Sequence, residues 1–220
     1  MKLIEDLDEW ELWEKFPQHH LWWNKLYVAE TFGYQCGPGA TPIPESKYYV
    51  IRPTYNLAGM GIGAEVKFLE KGDLSSVPPG YFWCEYFEGT HYSASYVWDQ
   101  NSWKNVHCWI GFNEPSNLVK FLKWVRSDHT PQVPQQLNVL HDAKYLNIEF
   151  VGNKVIEVHL RISGNPDGTI ESPWNEYIPV WEDTDTSQYK NYTWIDNPYD
   201  DWMDDKTEYM TERRLGYYVR

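Results

Sequence analysis

Two glutamates, Glu149 and Glu157, are the residues of this chain whose type and spacing point most directly to chemistry. They flank Gly152-Asn153-Lys154 inside the run Asn147–Arg161, which reads as a β-hairpin. Ile148, Phe150, Ile156, Val158 and Leu160 fall on one face, and Asn147, Glu149, Glu157, His159 and Arg161 on the other. The turn decides the register, because a slip of one residue moves a whole set of side chains to the other face. A two-residue Gly-Asn turn would pair Val151 with Lys154 and part the two glutamates. A three-residue loop, 152–154, pairs Val151 with Val155 and sets Glu149 against Glu157. Only this register gathers all five apolar side chains, so the three-residue loop is expected. Like charges directly opposite are destabilising. Arg161, a raised carboxyl pKa or a bound cation should therefore compensate. Magnesium is typically held by one or two carboxylates together with substrate phosphates. A solvated polar face laced by Glu–Arg contacts is the competing reading.

The elements that must position this hairpin are legible in outline. Residues 3–15 form a short acidic amphipathic helix with Leu3, Leu7, Trp10 and Trp13 at helical spacing, and 21–33 form a second, ended by Gly33. Residues 36–46 are rich in Gly and Pro and mark a turn or linker. Strands are expected at Lys47–Arg52, Ile62–Leu69, Tyr81–Phe87, Tyr92–Asp99 and Val106–Phe112, which are rich in aromatic and β-branched residues. Asn113-Glu114-Pro115 then opens a helix with Leu118, Leu122 and Val125 on its apolar face. Residues 183–212 carry nine acids against Lys190 and Lys206, a composition expected to be solvated, with the apolar end Leu215–Val219 packing back. A helix, then a mostly antiparallel sheet with helices, makes the fold class α+β.

With 220 residues, the chain can bury a sizeable core. Aromatics at 17% supply volume for that core or flat faces for a ligand. A net charge of -13 excludes a general nucleic-acid binder, which needs a basic footprint. Cys36, Cys84 and Cys108 contain no C-x-x-C pair and read as reduced thiols of a cytosolic protein rather than a disulfide framework or zinc site. No run is long enough to span a membrane, and the acidic start is not a signal peptide. A cytoplasmic location is expected. Oligomeric state is not written in the sequence.

Val50–Ala64 adds a glycine-rich loop, Gly59-Met60-Gly61-Ile62-Gly63, beside Arg52. Alternate glycines let backbone N–H groups approach an anion. The loop is neither a Walker A motif nor a dinucleotide fingerprint. A flexible connection between strands would use the same residues.

In this order the pieces resemble the ATP-grasp superfamily, over roughly residues 24–165. The resemblance implies ATP held between two small subdomains of mostly antiparallel sheet with helices. It implies a 1–20 helical extension, a 21–182 ATP-grasp-like domain and a 183–220 acidic aromatic segment. The hairpin resembles the terminal metal-binding element, which makes Glu149, Glu157 and His159 the magnesium ligands. Ile51-Arg52-Pro53 and the glycine loop resemble the strand end and flexible loop over the phosphates. Trp83-Cys84-Glu85-Tyr86-Phe87 resembles the strand that reads the adenine, and Glu88–Ser93 the turn that carries a ribose-binding acid, with His91 where that acid often sits. Asn24-Lys25-Leu26 resembles the entry where a lysine meets the phosphates.

The cofactors so implied are ATP and Mg2+. Lys25, Arg52, Gly59, Gly61, Gly63, Glu85, Tyr86, Phe87 and His91 are then the nucleotide-binding residues. Arg161 and Arg52 are the catalytic cations, Arg161 positioning a substrate carboxylate. The expected activity is an ATP- and Mg-dependent ligase joining a carboxylate to an amine or thiol through an acyl phosphate. Its partners would be a nucleotide and a small carboxylate or peptide, with no nucleic acid and no membrane. Arg52 replaces the usual lysine and His159 the usual asparagine. These departures keep a catalytically inactive binding or regulatory protein in view, and an aromatic-rich viral accessory or structural protein beside it.

Overall fold

Alternating side chains build two antiparallel sheets, and a short helix is packed into both their cores. The computed structural model describes residues 9–55, 61–113, 117–118, 120–163, 172–196 and 214–220. In chain order come α1 (Glu9–Lys15), a 3-10 segment (Pro17–Trp23), α2 (Lys25–Thr31), β1 (Cys36–Pro38), β2 (Lys47–Pro53), β3 (Glu65–Leu69) and β4 (Tyr81–Glu85). The second half contains β5 (His91–Asp99), β6 (Ser102–Asn113), β7 (Phe121–Arg126), a 3-10 segment (Gln135–Ala143), β8 (Tyr145–Val151), β9 (Lys154–His159), β10 (Glu176–Trp181), β11 (Thr193–Asp196) and β12 (Arg214–Val219). The small sheet has the order β1-β4-β2-β3, and the large one β11-β12-β10-β7-β6-β5-β8-β9.

The main core lies on one face of β5, β8 and β9. Ala94, Tyr96, Leu146, Ile148, Phe150, Val155 and Val158 meet Leu12, Trp22, Trp23 and Val28 there. The small sheet buries Tyr49, Ile51 and Trp83 on one side and Phe82 and Cys84 on the other. α2 belongs to both arrangements. Its Val28 enters the main core, while Ala29 packs on Phe82 and Cys84. Asn24 caps the helix by accepting from the Tyr27 N–H at 3.0 Å, and Gly33 ends it at φ +71°. α2 and the 17–23 segment lie against β9, the outermost strand, and so cover an edge that would otherwise present unpaired backbone.

The hairpin reaches the expected juxtaposition by a different route. Val151 pairs with Lys154 across a two-residue turn in which Gly152 takes φ +59°. The register then shifts, so that Phe150 faces Val155 and Glu149 faces Glu157. Ile156 is the extra residue of a β-bulge. Val155 therefore takes the place in the core expected for Ile156.

The helix expected after Asn113 is replaced by a strand. Phe121–Arg126 is β7, paired with β6 on one side and β10 on the other. Two ladders outweigh a three-residue apolar spacing, since helix propensity is a weak prior against tertiary pairing. A register shift between Phe112 and Asn113 makes Leu122 the extra residue and brings Phe121 beside Trp124, their ring centroids 4.3 Å apart. Glu114 and Pro115 lie outside the described residues. So do residues 3–8 of the first expected helix. Part of the acidic C-terminal segment joins the large sheet as β11 and β12. Among the described residues no helix is long and apolar enough to cross a membrane.

Gly111 sits under the Phe121–Trp124 pair. A Cβ there would stand 2.6 Å from Phe121 Cε1 and 2.8 Å from the Trp124 ring. Gly111→Ala is therefore expected to cost about 1–3 kcal/mol by overpacking. A urea denaturation midpoint unchanged from wild type would contradict the close packing.

Candidate functional site

The bulge at Ile156 sets up the site. An extra residue in a bulge is left out of the ladder, and the Ile156 carbonyl is met by the Arg52 guanidinium instead, which donates to it through Nη2. Arg52 projects from β2 on the side of the small sheet that carries Phe82, with Cζ 5.5 Å from that ring centroid. One hydrogen bond thus ties the strand end beside the glycine loop to the carboxylate hairpin.

The two opposed carboxylates are held by cations from different elements. Lys25 Nζ, at the start of α2, lies 2.6 Å from Glu157 Oε1, both side chains almost fully buried. His91 Nε2 stands 3.4 Å from Glu149 Oε2, an electrostatic contact rather than an aligned hydrogen bond. Phe121 and Trp124 bound His91 edge-on at 5.0 and 5.7 Å. Beyond Glu157 the alternation of charge continues. His159 Nε2 is 3.5 Å from Glu157, and its Nδ1 is 2.8 Å from Glu9 Oε1. Arg161 Nε donates to the same Glu9 oxygen at 2.7 Å, and Trp23 Nε1 to the other at 2.8 Å. The result is a buried chain, Lys25–Glu157–His159–Glu9–Arg161, in which each charge meets its opposite. Removing one member leaves its partner desolvated and unpaired.

The ionisation of these groups follows from that chain. Burial opposes charge on Glu149, but the contact and charge of His91, then the charges of His159 and Lys25, bring its carboxyl down to about 2. Burial likewise opposes charge on Glu9. The His159 and Arg161 cations and the hydrogen bonds from His159 and Trp23 hold it well below the usual carboxylate range. Burial favours a neutral His159, yet Glu9 and then Glu157 raise its pKa against the repulsion of Arg161.

Of the residues expected from sequence, the structure brings together Lys25, Arg52, His91, Glu149, Glu157 and His159. The compensation for the opposed glutamates is Lys25 and His91. Arg161 is engaged by Glu9 instead. Gly61 and Gly63 adopt φ +64° and +79°, Gly63 lying against Pro53 at the end of β2, and Gly59 lies outside the described residues. Glu85 is tied to the backbone of Gln35, accepting its N–H at 3.2 Å. Tyr86 is exposed, and Phe87 packs edge-on against Tyr34 at 4.8 Å. Glu9 was not anticipated, because an acid in an acidic amphipathic helix carries no sign of being the buried one.

Glu149, Glu157 and His159 do not fit a magnesium ion as they stand. Lys25 Nζ and His159 Nε2 both face Glu157 Oε1, and His159 turns Nδ1 to Glu9. No group of three or more His, Cys, Asp or Glu side chains among the described residues could hold a metal. Cys36 and Cys84, which face each other across β1 and β4, are free thiols, and burial pushes them up to about 11 and about 12.

No protein-family model matches the chain, and no curated protein matches it in sequence. Solved structures do match. Carboxyaminoimidazole ribonucleotide synthase from Aspergillus clavatus, complexed with ATP, superposes over 98% of this chain and 74% of its own, with TM-score 0.53 at 8% identity. The fold is that of the ATP-grasp proteins. N5-carboxyaminoimidazole synthetase from Staphylococcus aureus, complexed with ADP, covers 98% of this chain and 74% of that one, with TM-score 0.50 and 11% identity. An ATP-grasp superfamily protein from Archaeoglobus fulgidus aligns with 65% of this chain at 15% identity and TM-score 0.41. This chain spans 46% of that protein's length. The buried charge chain lies where the hairpin of the large sheet meets Arg52 of the small one.

Two tests follow from the charge chain. Lys25→Met should cost about 3–5 kcal/mol by leaving Glu157 buried without a partner, and Lys25→Met/Glu157→Gln should recover most of that loss in chemical denaturation. The stabilisation from Glu149 is present above its ordinary pKa of 4.5 and is lost as pH falls toward about 2. The contribution of His159 has the opposite sign, complete below 6.5 and fading as pH rises through its raised value. Stability–pH curves of Glu149→Gln and His159→Gln should therefore flatten on the acid and the alkaline side respectively. Curves parallel to wild type would contradict both assignments.

Proposed function

We propose that the chain binds ATP between its two sheets and acts as a ligase joining a carboxylate to an amine or thiol through an acyl phosphate. The observation that carries this reading is the convergence of Lys25 and Arg52 on the hairpin of Glu149, Glu157 and His159 within an ATP-grasp fold. Both cations hold protein acceptors that a phosphate oxygen can replace: Glu157 for Lys25, and the Ile156 carbonyl for Arg52. A guanidinium can fork two phosphate oxygens where an ammonium gives a point charge. The backbone at Gly61 and Gly63 would approach the terminal phosphate, and the strand end Glu85–Phe87 would take the base. His91 would lie beside the sugar and phosphates. Arg161, on exchange of Glu9, would orient the substrate carboxylate. Such a site works by positioning and fixed charge, and needs no protein nucleophile.

A second reading has its own observation. Lys25–Glu157 and Arg161–Glu9 satisfy one another so completely that nucleotide must break buried pairs to enter the site. A protein that binds without turning over, for regulation or assembly, would keep this arrangement.

Calorimetric titration of ATP, with and without Mg2+, separates the readings when combined with an assay for ADP in the presence of mixed carboxylates and amines. The ligase reading expects saturable ATP binding and substrate-dependent ADP release. Both magnesium conditions are needed, because freeing Glu157 from Lys25 leaves two carboxylates facing each other without that counter-ion. Arg52→Gln should weaken ATP by about tenfold or more, the loss of a charge-assisted hydrogen bond. Binding without turnover favours the regulatory protein. Absence of nucleotide binding in either condition rejects both readings.

A further inference from the structure

The face of the large sheet that carries Glu149 and Glu157 continues beyond them, and its far end is unused by the nucleotide reading. Ser93 is opposite both Glu149 and Trp109, and Ser95 is opposite both Asn147 and His107. Trp109 is in turn opposite Arg126 on β7. Directly opposed residues share a face, so His107, Trp109 and Arg126 lie on the same face as the carboxylates, with Trp109 packed on Tyr177 at 4.5 Å between ring centroids.

His107 is the anomaly of this face. It is 4% exposed, yet neither ring nitrogen has a hydrogen-bond partner among the described residues. Buried polar side chains are paired in the large majority of cases. The neighbouring amides and hydroxyls are turned to other partners. Asn105 Nδ2 donates to the carbonyls of Ser95 and His107, Asn147 Nδ2 donates to the Ser93 and Ser95 hydroxyls, and Ser95 Oγ also accepts the Ser163 N–H at 3.0 Å. Burial first, and then the charge of Arg126, push the imidazole pKa down to about 4. At neutral pH His107 thus presents one N–H donor and one lone pair. Arg126 stands beside it, with Cζ 5.7 Å from the Trp109 ring centroid and Nη1 donating to the Ser172 carbonyl at 3.1 Å.

We propose that His107, Arg126 and Trp109 form a subsite for a small carboxylic acid that carries a hydroxyl or amine beside its carboxylate. The guanidinium forks the carboxylate, the indole supplies a flat wall, and the imidazole pairs with the neighbouring hydroxyl or amine. β6 and β8 are two strand spacings apart, about 10 Å, a distance that a small acid and a terminal phosphate together can span. This inference rests on the ligase reading and adds to it the class of the second substrate. Arg161, held by Glu9, is not required for it.

The test is calorimetric titration of the full chain, without nucleotide, with lactate and L-alanine against propionate, which lacks the second polar group. Wild type should bind lactate or L-alanine at least about tenfold more tightly than propionate, the penalty of leaving a buried group without its partner. Arg126→Gln should weaken all three acids. His107→Leu should erase the preference and raise Tm, because an apolar side chain does not need the missing hydrogen bonds. Failure of wild type to bind lactate and L-alanine, an unchanged preference in His107→Leu, or a lower Tm in that variant each overturns the subsite. ATP titrated into wild type reports on the nucleotide reading separately, so failure of the subsite is distinguishable from failure of that reading.

Discussion

Two carboxylates facing each other across β8 and β9 impose the constraint on which the surrounding structure depends. At that separation both cannot stay ionised in a buried setting unless positive charge is brought to them. The outermost strand β9 cannot draw that charge from a further strand. It comes from Lys25 at the start of α2 for Glu157 and from His91 on β5 for Glu149, while Glu9 of α1 pairs with His159 and Arg161. α2 thus covers the edge and supplies one of the counter-charges. An acidic N-terminal helix that looks like a solvated extension therefore contributes a buried counter-charge to the centre of the protein.

The bulge at Ile156 is the second constraint, and it acts through one backbone carbonyl. Without the extra residue, the Gly152-Asn153 turn would send Glu157 to the apolar face. With it, the glutamates return to alignment, Val155 enters the core, and an unladdered carbonyl points toward the small sheet. Arg52 fills that acceptor. The device that sets the register of the acids also fastens the second sheet to the first. Bulges recur beside functional sites because they re-aim side chains in this way.

A fold shared with ATP- and ADP-bound enzymes does not by itself assign chemistry, because function resides in the site built on a fold. The site here has buried cations and acids arranged as partners of one another. Such an arrangement keeps its buried charges paired within the protein, and the proposed reading has an anion take the place of those partners. The same face extends past the acids to a neutral histidine, unpaired among the described residues, beside an arginine. Neither residue belongs to any run that stands out along the chain, and the strand register alone brings them into line.

The α+β class, most strands and the opposed glutamates were legible in the sequence, because alternation, glycine and spacing are local properties. Ile148, Phe150, Val158 and Leu160 declared their buried face, and Gly33 marked the end of α2 through its own backbone preference, whereas the helix expected from 21 begins only after its Asn24 cap. What local pattern could not carry was competition between distant partners. Leu118, Leu122 and Val125 have helical spacing, but Phe121–Arg126 became β7, because β6 and β10 each offered a ladder. The two-residue turn was set aside because no local signal announces a bulge. Glu9, His107 and Arg126 owe their importance to neighbours far away in sequence. Sequence therefore determined most of the central strands and which acids would face one another. Tertiary structure decided which cations would answer them, because desolvation makes pairing obligatory only once chain packing has excluded water.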